Sequence, residues 1–568
     1  MTSAAKTILL ALAAMILSAC QIASQHEPIE EPVSLPVEQP SAVIQRLVQS
    51  ESGAEGEAVQ TFYARRGFEP IWNKKSSKEL IGLLLDAYQE GFHGDEFGVW
   101  EIQGFNNLGD LPSYQRAEAD VFLSRSFFRY IRYRFVGKAR PNKADHSWDN
   151  PNEGKVGKLL EIAETAIYSE AIEETIHQYS PSNRLYKKLK TALNRYRTIE
   201  QNGGWLTIPL GPILKLGTLD SRVPFLRLRL QATGDLDASK LHDGYRYDTG
   251  LAAAVRRFQF RHNIKVDGIA GLETQVEMNR PVSERIDQIR LNLERARWLS
   301  SGDEQEMLVI NIAGFKVYLV RDDRVIWQTR AQVGTPYRKS PLFKSKMKYV
   351  VFNPTWTVPP TILEKDILPK LKAGDLDYLT TRNMRVLDFK GNPVEASSVK
   401  WADYNAKNLP YLLRQDAGVE NALGRMKFVF PNDYTIFMHD TPSKGLFDKQ
   451  KRAFSSGCIR IEHPHELAQL VLGEKKGWSP KRVKQLVNSG ETKSIFLPRE
   501  LNVWLTYWTV DVDDDGQVIF IDDIYGRDQA VLDMLNRKAP ALLARVINSP
   551  SIQPLKENRG LAEREILY

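Results

Sequence analysis

Residues 307–333 read MLVINIAGFKVYLVRDDRVIWQTRAQV, and their apolar side chains recur with a period of two. That period places successive side chains on opposite faces of a β-strand. The turn Ala313-Gly314 separates the first two strands of this stretch. We predict strands over residues 308–312, 317–320, 325–333, 348–352 and 435–439. The region is therefore expected to be rich in β-structure.

Residues 362–420 interrupt the β pattern with helical and polar segments. Structureless loops longer than about 15 residues are uncommon, and those that occur often act as lids. Leu368, Leu371 and Leu379 are suited to a small core within this segment. We therefore predict a helical insertion that caps a cleft in the β-region.

The pattern beyond the β-region predicts helix at residues 463–488 and then a hairpin formed by residues 503–512 and 518–521. The hairpin turn is Asp513-Asp514-Asp515-Gly516, and Asp-Gly is a strong turn signal. The acidic residues in and before this turn also imitate the spacing of an EF-hand loop, but such loops lie between helices. A hairpin without calcium is the favoured interpretation.

The chain before the β-region is mostly helical by pattern over residues 43–220. Leu80, Leu83 and Leu84, for example, lie on one stripe of a predicted helix. A second unit follows at residues 221–281. Its helices are predicted at residues 223–230, 250–262 and 272–279.

The N-terminus reads as a targeting segment. Residues 8–19 form an apolar run of 12 residues, which is too short to span a bilayer. The run ends in Leu17-Ser18-Ala19-Cys20, which resembles the lipobox of bacterial lipoproteins. The resemblance implies cleavage before Cys20 and lipidation of that residue. Gln21 then favours the outer membrane of a Gram-negative bacterium.

The chain has two cysteines, Cys20 and Cys458. If Cys20 carries lipid, Cys458 is left as a lone thiol with no partner for a disulfide. Because exported compartments are oxidising, a leftover thiol there is either buried and inert or a nucleophile.

The residues around Cys458 favour a nucleophile over an inert buried thiol. It lies in the segment AFSSGCIRI, residues 453–461, whose small residues let backbone approach a substrate closely. His439 ends a predicted strand, and an imidazole can take the proton of a nearby thiol. Cys458 and His439 are therefore the candidate nucleophile and base. The backbone N–H groups of Gly457 and Cys458 are the candidate oxyanion donors.

These residues resemble the signature of the L,D-transpeptidases, in which a His precedes Ser/Thr-His-Gly-Cys by about fifteen residues. Here His439 is followed by fifteen residues and then by Ser455-Ser456-Gly457-Cys458. The resemblance covers residues 305–475 and includes Val333-Gly334-Thr335-Pro336. Ser456 stands where the usual second His would be, which leaves His439 as the candidate base.

The resemblance implies a reaction on peptidoglycan stem peptides. Cys458 attacks the L-centre carbonyl of the position-3 diamino acid of a tetrapeptide, D-Ala leaves, and an amine takes the acyl group to give a 3→3 cross-link. Ser455 is expected to orient His439 or the loop. Arg460 is expected to meet a stem carboxylate or to tie down the loop. The substrate-binding candidates are Arg460, Ser456, Tyr337 and Trp356, and Tyr318 is a further candidate for lining the cleft.

Residues 221–281 resemble the small three-helix peptidoglycan-binding domain. The shared residues are Phe258-Gln259, Val266-Asp267-Gly268, Gly271 and Thr274. The resemblance implies that this unit binds the cell wall and carries no chemistry.

Taken together, the chain resembles the large Gram-negative L,D-transpeptidases. The implied fold class is multidomain α+β, with a helical scaffold domain, a three-helix peptidoglycan-binding domain and a β-rich catalytic domain that carries a helical cap. The expected units are a signal peptide (1–19), a Pro/Glu-rich linker (20–42), the scaffold (43–220), the peptidoglycan-binding domain (221–281), the catalytic domain (305–475, with the cap at 362–420) and a C-terminal segment with a hairpin and helices (476–568).

The formal net charge of +7 suits anionic partners such as cell-wall polymer, nucleic acid or membrane, and does not choose among them. The resemblance implies stem peptides and the sacculus as partners, a membrane contact through lipid at Cys20, a periplasmic location, and no nucleic acid or cofactor. His463-Pro464-His465 follows Cys458 at a spacing that is unusual for zinc, so no metal is expected.

Two alternatives remain open from the sequence. A papain-like peptidoglycan endopeptidase usually has its Cys before its His, at the start of a helix, whereas here His439 precedes Cys458. A non-catalytic wall-binding lipoprotein would use residues 221–281 alone, and the intact His/Cys pair argues against it. The acceptor also stays open: a 3→3 cross-link, attachment of a lipoprotein, or exchange of a D-amino acid.

Overall fold

The structure is a computed structural model that describes residues 38–49, 53–103, 108–140, 157–181, 183–237, 239, 244–299, 306–473 and 477–542. The predicted signal peptide, most of the predicted linker and Cys20 lie outside the described residues. The described part is a mixed helical and β architecture with helices in the N-terminal region and a β-rich domain after them, as the sequence predicts. No helix in it is both long and apolar enough to cross a membrane.

The described part of the N-terminal block contains eight α-helices. They are α1 (Pro40–Gln49), α2 (Gly53–Ala64), α3 (Lys74–Leu85), α4 (Val99–Gln103), α5 (Ser113–Phe135), α6 (Leu159–Tyr168), α7 (Ile172–Tyr179) and α8 (Arg184–Gln201). Short 3₁₀ turns at Asp86–Tyr88, Gly94–Phe97 and Leu108–Asp110 join some of them. Helix α5 is buried along most of its length, and its aromatic side chains pack edge-to-face with neighbours: Phe128 with Phe62, Phe127 with Trp72. Such pairs orient the helices as well as burying apolar area.

The second unit has the three predicted helices, α9 (Val223–Ala232), α10 (Thr249–Arg261) and α11 (Leu272–Met278). Gln259 of α10 is buried and joins the segments around it. Its Oε1 accepts hydrogen bonds from the backbone N–H groups of Asp267 and Gly268, at 3.0 and 2.8 Å. Its Nε2 donates to the Asp267 carboxylate, to the Ile269 carbonyl and to Thr274 Oγ1, at 3.0, 3.0 and 3.2 Å. Gln259, Asp267, Gly268 and Thr274 of the motif therefore belong to one hydrogen-bond network.

Helix α12 (Val282–Leu299) connects this unit to the β-region and packs against α8. Glu90 is buried where α5, α8 and α12 meet. Its carboxylate accepts from Tyr186, and pairs with Lys190 at 2.5 Å and Arg134 at 3.3 Å, with Arg297 beside it. Burial opposes the charged form, but the three cations outweigh it and lower the pKa of Glu90 to about 2. Removing one partner would leave a buried charge uncompensated.

The β-region is a nine-stranded sheet. Its strands are β1 (Glu306–Asn311), β2 (Lys316–Arg321), β3 (Arg324–Gly334), β4 (Phe343–Phe352), β9 (Met426–Val429), β10 (Met438–His439), β11 (Ala453–Ser455), β12 (Ile459–Ile461) and β13 (Lys493–Thr506). Across the sheet they are ordered β11-β3-β12-β10-β9-β4-β13-β1-β2. Strand β2 also pairs with β3, so the sheet bends round and closes on itself. The interior is lined by apolar side chains with no exposure, among them Ile310, Val317, Ala331, Val350, Phe428 and Ile459. Helices α16 (Pro464–Leu472), α17 (Pro480–Asn488) and α18 (Asp528–Asn536) follow in the chain.

The cap has its own small core and its own sheet. It contains helices α13 (Pro360–Ile362), α14 (Leu368–Lys372) and α15 (Asp377–Thr380), and a π-helical segment at Leu363–Ile367. The predicted helical content is confirmed. The cap also has a sheet in the order β5-β8-β6-β7, made of β5 (Trp356–Thr357), β6 (Met384–Leu387), β7 (Pro393–Val394) and β8 (Leu412–Gln415), which the sequence did not predict. The cap core includes Ile367, Leu368, Leu371, Leu379 and Leu413.

Three predictions about strands are corrected. The strand predicted at 435–439 contains residues 438 and 439, because Thr435 has a left-handed backbone with φ of 58°. The segment predicted as one strand at 503–512 is split between β13 and a second strand, β14 (Val510–Val512), which pairs with β15 (Val518–Phe520). Strand β13 also lies between β4 and β1, so the sheet extends beyond residue 475, where the sequence places the end of the catalytic domain.

Replacing Gln259 with Leu should destabilise the three-helix unit by about 2–3 kcal/mol. The change removes the acceptor of the buried Gly268 N–H and of the partly buried Asp267 N–H, and a buried donor left unpaired costs about 1–3 kcal/mol. The measurement is urea unfolding followed by circular dichroism. Glu273→Gln, at an exposed position of α11, is the matched control. Equal unfolding midpoints for Gln259→Leu and the parent protein would contradict the structural role given to Gln259.

Candidate active site

Cys458 lies between β11 and β12, at the floor of a cleft of about 1060 Å³. Strands β12 and β10 run parallel with Ile459 opposite Met438 and Arg460 opposite His439. This register sets Cys458 beside Phe437 and next to the strand that carries His439. The thiol is free and half-buried. The cleft is lined by the predicted site residues Cys458, His439, Gly457, Ser455, Ser456, Arg460, Tyr337 and Trp356.

The nucleophile loop is fixed by two serine hydroxyls. Ser455 Oγ donates to the Cys458 carbonyl at 2.6 Å and accepts from the Gly457 N–H at 3.1 Å. Ser340 Oγ donates to the Gly457 carbonyl at 2.7 Å and accepts from the Gly334 N–H at 3.0 Å. Ser455 thus holds the loop itself, which is one of the two roles that the sequence left open.

Gly334 and Gly457 are required by close packing at this point. A Cβ on Gly334 would lie 2.1 Å from the Arg338 carbonyl oxygen and 3.1 Å from the Gly457 Cα. Gly457 has φ of 117°, a backbone conformation that side chains rarely permit. The sequence motif Val333-Gly334-Thr335-Pro336 is therefore the wall against which the nucleophile loop rests.

The expected pair of oxyanion donors is reduced to one. The Gly457 N–H is taken by Ser455 Oγ, so it does not point into the cleft as the sequence suggested. The Cys458 N–H makes no hydrogen bond to any residue that the structure describes. With the Gly457 carbonyl held by Ser340, the peptide plane between Gly457 and Cys458 is fixed. The Cys458 N–H is therefore the remaining candidate oxyanion donor of the loop.

His439 is buried and uncharged. Its Nδ1 lies 2.5 Å from the Asp440 backbone carbonyl oxygen, and because a carbonyl cannot donate, Nδ1 carries the proton. In a neutral ring Nε2 is then the acceptor. Burial first, and then the charges of Arg460 and Lys427, lower the pKa of His439 to about 3, although the carbonyls of Asp440 and Leu423 act in the opposite direction.

The thiol of Cys458 is also held neutral. Burial raises the pKa of Cys458, against the backbone N–H of Phe437 and the charges of Lys427 and Arg460, which lower it. At neutral pH the resting pair is therefore a thiol and a neutral imidazole. This favours proton removal during attack over a thiolate–imidazolium pair formed beforehand.

Two cations flank His439 in register, and the sequence pointed to only one of them. Lys427 of β9 and Arg460 of β12 lie directly across from His439 on the neighbouring strands, so the three side chains share one face. Lys427 Nζ lies 3.9 Å from the centroid of the Phe437 ring, and burial lowers the pKa of Lys427. Arg460 Nη1 donates to Gln332 at 3.3 Å, which partly ties it to the sheet.

The cleft walls differ from the prediction in part. Tyr337 is 97% exposed at the rim, and Trp356 contributes from the cap. Tyr318 does not line the cleft: its hydroxyl donates to Asp511 of the hairpin at 3.1 Å. Arg338 and Asp366 do line it, and no local motif marked either residue.

No metal site is evident in the described part of the chain, where no three His, Cys, Asp or Glu side chains cluster as ligands. Residues 513–517 form a hairpin turn, in which the Asp513 carboxylate accepts from the backbone N–H groups of Asp515 and Gln517 at 3.1 and 2.8 Å. This is an Asx-type turn, as the hairpin interpretation predicts.

Comparison with known families agrees with this geometry. Residues 305–491 match the YkuD family, described as "L,D-transpeptidase catalytic domain". Residues 57–193 match a "Scaffold domain", and residues 220–278 match a "Putative peptidoglycan binding domain". The chain therefore carries an L,D-transpeptidase catalytic domain of the YkuD family, together with a scaffold and a peptidoglycan-binding domain.

A curated relative from Haemophilus influenzae, named "Putative L,D-transpeptidase", is 37% identical over 243 residues. The match covers 43% of this chain and 48% of the relative, so the chain spans about half of that protein's length. A solved L,D-transpeptidase structure from Xylanimonas cellulosilytica is 14% identical and covers 52% of this chain and 98% of that one, with a TM-score of 0.16. That score is too low to support an argument about the fold.

The pH dependence of acylation should follow the shifted pKa of His439. Because this pKa is lowered to about 3, the neutral base persists far below pH 6.5, the ordinary value for histidine. The rate of Cys458 acylation by a carbapenem should therefore stay within about twofold between pH 7.5 and 5. The measurement is intact-protein mass spectrometry against time, with circular dichroism at each pH as the control for folding. A tenfold decline centred near pH 6.5 would contradict this description of His439.

Proposed function

We propose that this protein is an L,D-transpeptidase that cross-links peptidoglycan through a cysteine thioester. The observation that carries the proposal is the free Cys458 thiol, placed beside the strand that bears a neutral His439 and open to a large cleft. The family match of residues 305–491 supports the same reaction class.

In the first half-reaction, the Cys458 sulfur attacks the L-centre carbonyl of the position-3 diamino acid in a tetrapeptide stem. The S–H proton passes to Nε2 of His439, whose other nitrogen stays bonded to the Asp440 carbonyl. The Cys458 N–H stabilises the oxyanion. The C–N bond to D-Ala then breaks, and the imidazolium returns its proton to the leaving amine. A thioester on Cys458 remains.

In the second half-reaction, the side-chain amine of another stem attacks the thioester. His439 takes a proton from that amine and gives it to the departing sulfur, which restores the thiol. The product is a 3→3 cross-link. Lys427 and Arg460 flank the site where negative charge develops on sulfur and oxygen, so both cations stabilise that negative charge, while they oppose the positive charge that forms on His439.

The other units would bring the site to its polymer. We propose that residues 220–278 bind peptidoglycan and hold the catalytic domain against it, because that unit is fixed to the hairpin of the β-region. Arg261 donates to the Val518 carbonyl at 3.0 Å, and the His262 ring stacks on Phe520 with centroids 5.4 Å apart. We further propose a lipid anchor at Cys20 and a periplasmic location, on the lipobox resemblance.

Cys458→Ala should abolish acylation and leave the fold intact, because it removes the nucleophile and little volume. His439→Ala should slow acylation about 10²–10⁴-fold, the usual worth of a general base. The measurement is the mass shift produced by a carbapenem, a known inhibitor class of this family. Cys458→Ala protein that still gains the adduct, or His439→Ala protein that acylates at the parental rate, would contradict these roles.

The acceptor is tested separately by a muropeptide digest. Cell walls from strains with and without the gene are compared by mass, and we expect 3→3-linked dimers to disappear without it. Unchanged dimers, with acylation of Cys458 intact in vitro, would assign the thioester to another amine acceptor.

A further inference from the structure

Arg338 joins the nucleophile loop to the cap. Arg338 lies in the loop between β3 and β4, and its Nη1 donates to Ser456 Oγ at 2.8 Å. The same guanidinium holds the Asp366 carboxylate with two hydrogen bonds, Nη1 to Oδ2 at 2.6 Å and Nη2 to Oδ1 at 2.8 Å. Asp366 belongs to the cap, in the π-helical segment Leu363–Ile367. All three residues line the cleft.

The position of this pair is suited to substrate recognition. Ser456 is two residues before Cys458, so a carboxylate held by Arg338 lies at the nucleophile loop, in the same cleft as the thiol. Planar, two-point binding of a carboxylate is the arrangement in which arginine is favoured over lysine. π-Helical turns are rare and occur frequently at functional sites. The stem peptides of the proposed reaction carry carboxylates at D-Ala and at the second centre of the diamino acid.

The Arg338–Asp366 ion pair can be broken with little loss of stability. The side chain of Arg338 is 22% exposed and that of Asp366 is 40% exposed, and ion pairs so open to water contribute little to stability. An incoming carboxylate can therefore replace Asp366 without leaving a buried charge unpaired. Because Asp366 is part of the cap, the same exchange removes this contact between the cap and the nucleophile loop.

We propose that Arg338 is the carboxylate-binding residue of the cleft, and that Asp366 occupies it until a carboxylate of the stem peptide takes its place. The inference rests on the proposed function, since it assigns a substrate group to that same site. It makes Arg338 a specificity residue and the Arg338–Asp366 pair a latch between cap and loop.

The test compares soluble tetrapeptide stems that have both carboxylates free with stems in which one or the other is an amide. Release of D-Ala, or of its amide, gives kcat/KM. The parent protein should prefer the free acid by about 10- to 100-fold over one of the two amides, the worth of a hydrogen-bonded charge. Arg338→Gln should lose that factor on the free acid and no longer distinguish the two.

Asp366→Asn should lower KM for the free acid several-fold, because the competing carboxylate is gone while Arg338 remains. If the Arg338–Asp366 ion pair had only a structural role, breaking it would not make the stem peptide bind more tightly. Arg385→Gln is the matched control, since Arg385 pairs with Asp416 in the cap but lies outside the cleft, and its kinetics should equal those of the parent.

The experiment distinguishes failure of the proposed function from failure of the proposal for Arg338. If the parent protein releases no D-Ala from any stem although iodoacetamide alkylates Cys458, the proposed function is wrong. If the parent turns over but Arg338→Gln keeps the parental preference for the free acid, or Asp366→Asn leaves KM unchanged or raises it, the proposal for Arg338 is overturned and the reaction class stands.

Discussion

The hydroxyl of Ser340 is the contact on which the geometry of the site depends. It is fully buried, it accepts from the Gly334 N–H and it donates to the Gly457 carbonyl. These two bonds join the end of β3 to the nucleophile loop, more than a hundred residues further along the chain. Tyr525 reinforces the junction, since its hydroxyl donates to the Gly334 carbonyl at 2.6 Å and accepts from the Ser340 N–H at 3.2 Å. The orientation of the Cys458 N–H follows from this junction.

The electrostatics of the site follow from burying a neutral pair between two cations. Burial holds Cys458 and His439 uncharged at rest, which avoids the large cost of an isolated buried ion. In the proposed reaction, charge appears on the oxyanion and on the imidazole as sulfur attacks. Lys427 and Arg460 are in place to stabilise the negative charge, and they oppose the positive one. The cations are held by strand register rather than by flexible loops. No reorganisation of the site is then needed during the reaction, which is the condition for efficient electrostatic catalysis.

How much of the fold and of the site could be predicted depends on how far apart in the sequence the interacting residues lie. Strands β1 to β3 follow from a local period of two, and the roles given to Cys458 and His439 follow from local spacing and small residues. Gln259 was visible as part of a motif, although its hydrogen bonds were not. Ser340, Lys427 and the Arg338–Asp366 pair were missed because each acts through a partner that is distant in sequence. The position of β13 was missed for the same reason: pairing between β4 and β1 is a property of the whole sheet.

The most direct test of the central claim is the acylation rate of Ser340→Ala. In the proposed mechanism the Cys458 N–H is the oxyanion donor for a β-lactam carbonyl, but it has no part in alkylation by iodoacetamide, which passes through no oxyanion. We predict that Ser340→Ala slows carbapenem acylation at least ~10-fold, since small displacements of a catalytic group are costly, while alkylation of Cys458 stays within about twofold and the protein remains folded by circular dichroism. Carbapenem acylation at the parental rate would show that the Ser340 junction does not set the geometry of the nucleophile loop.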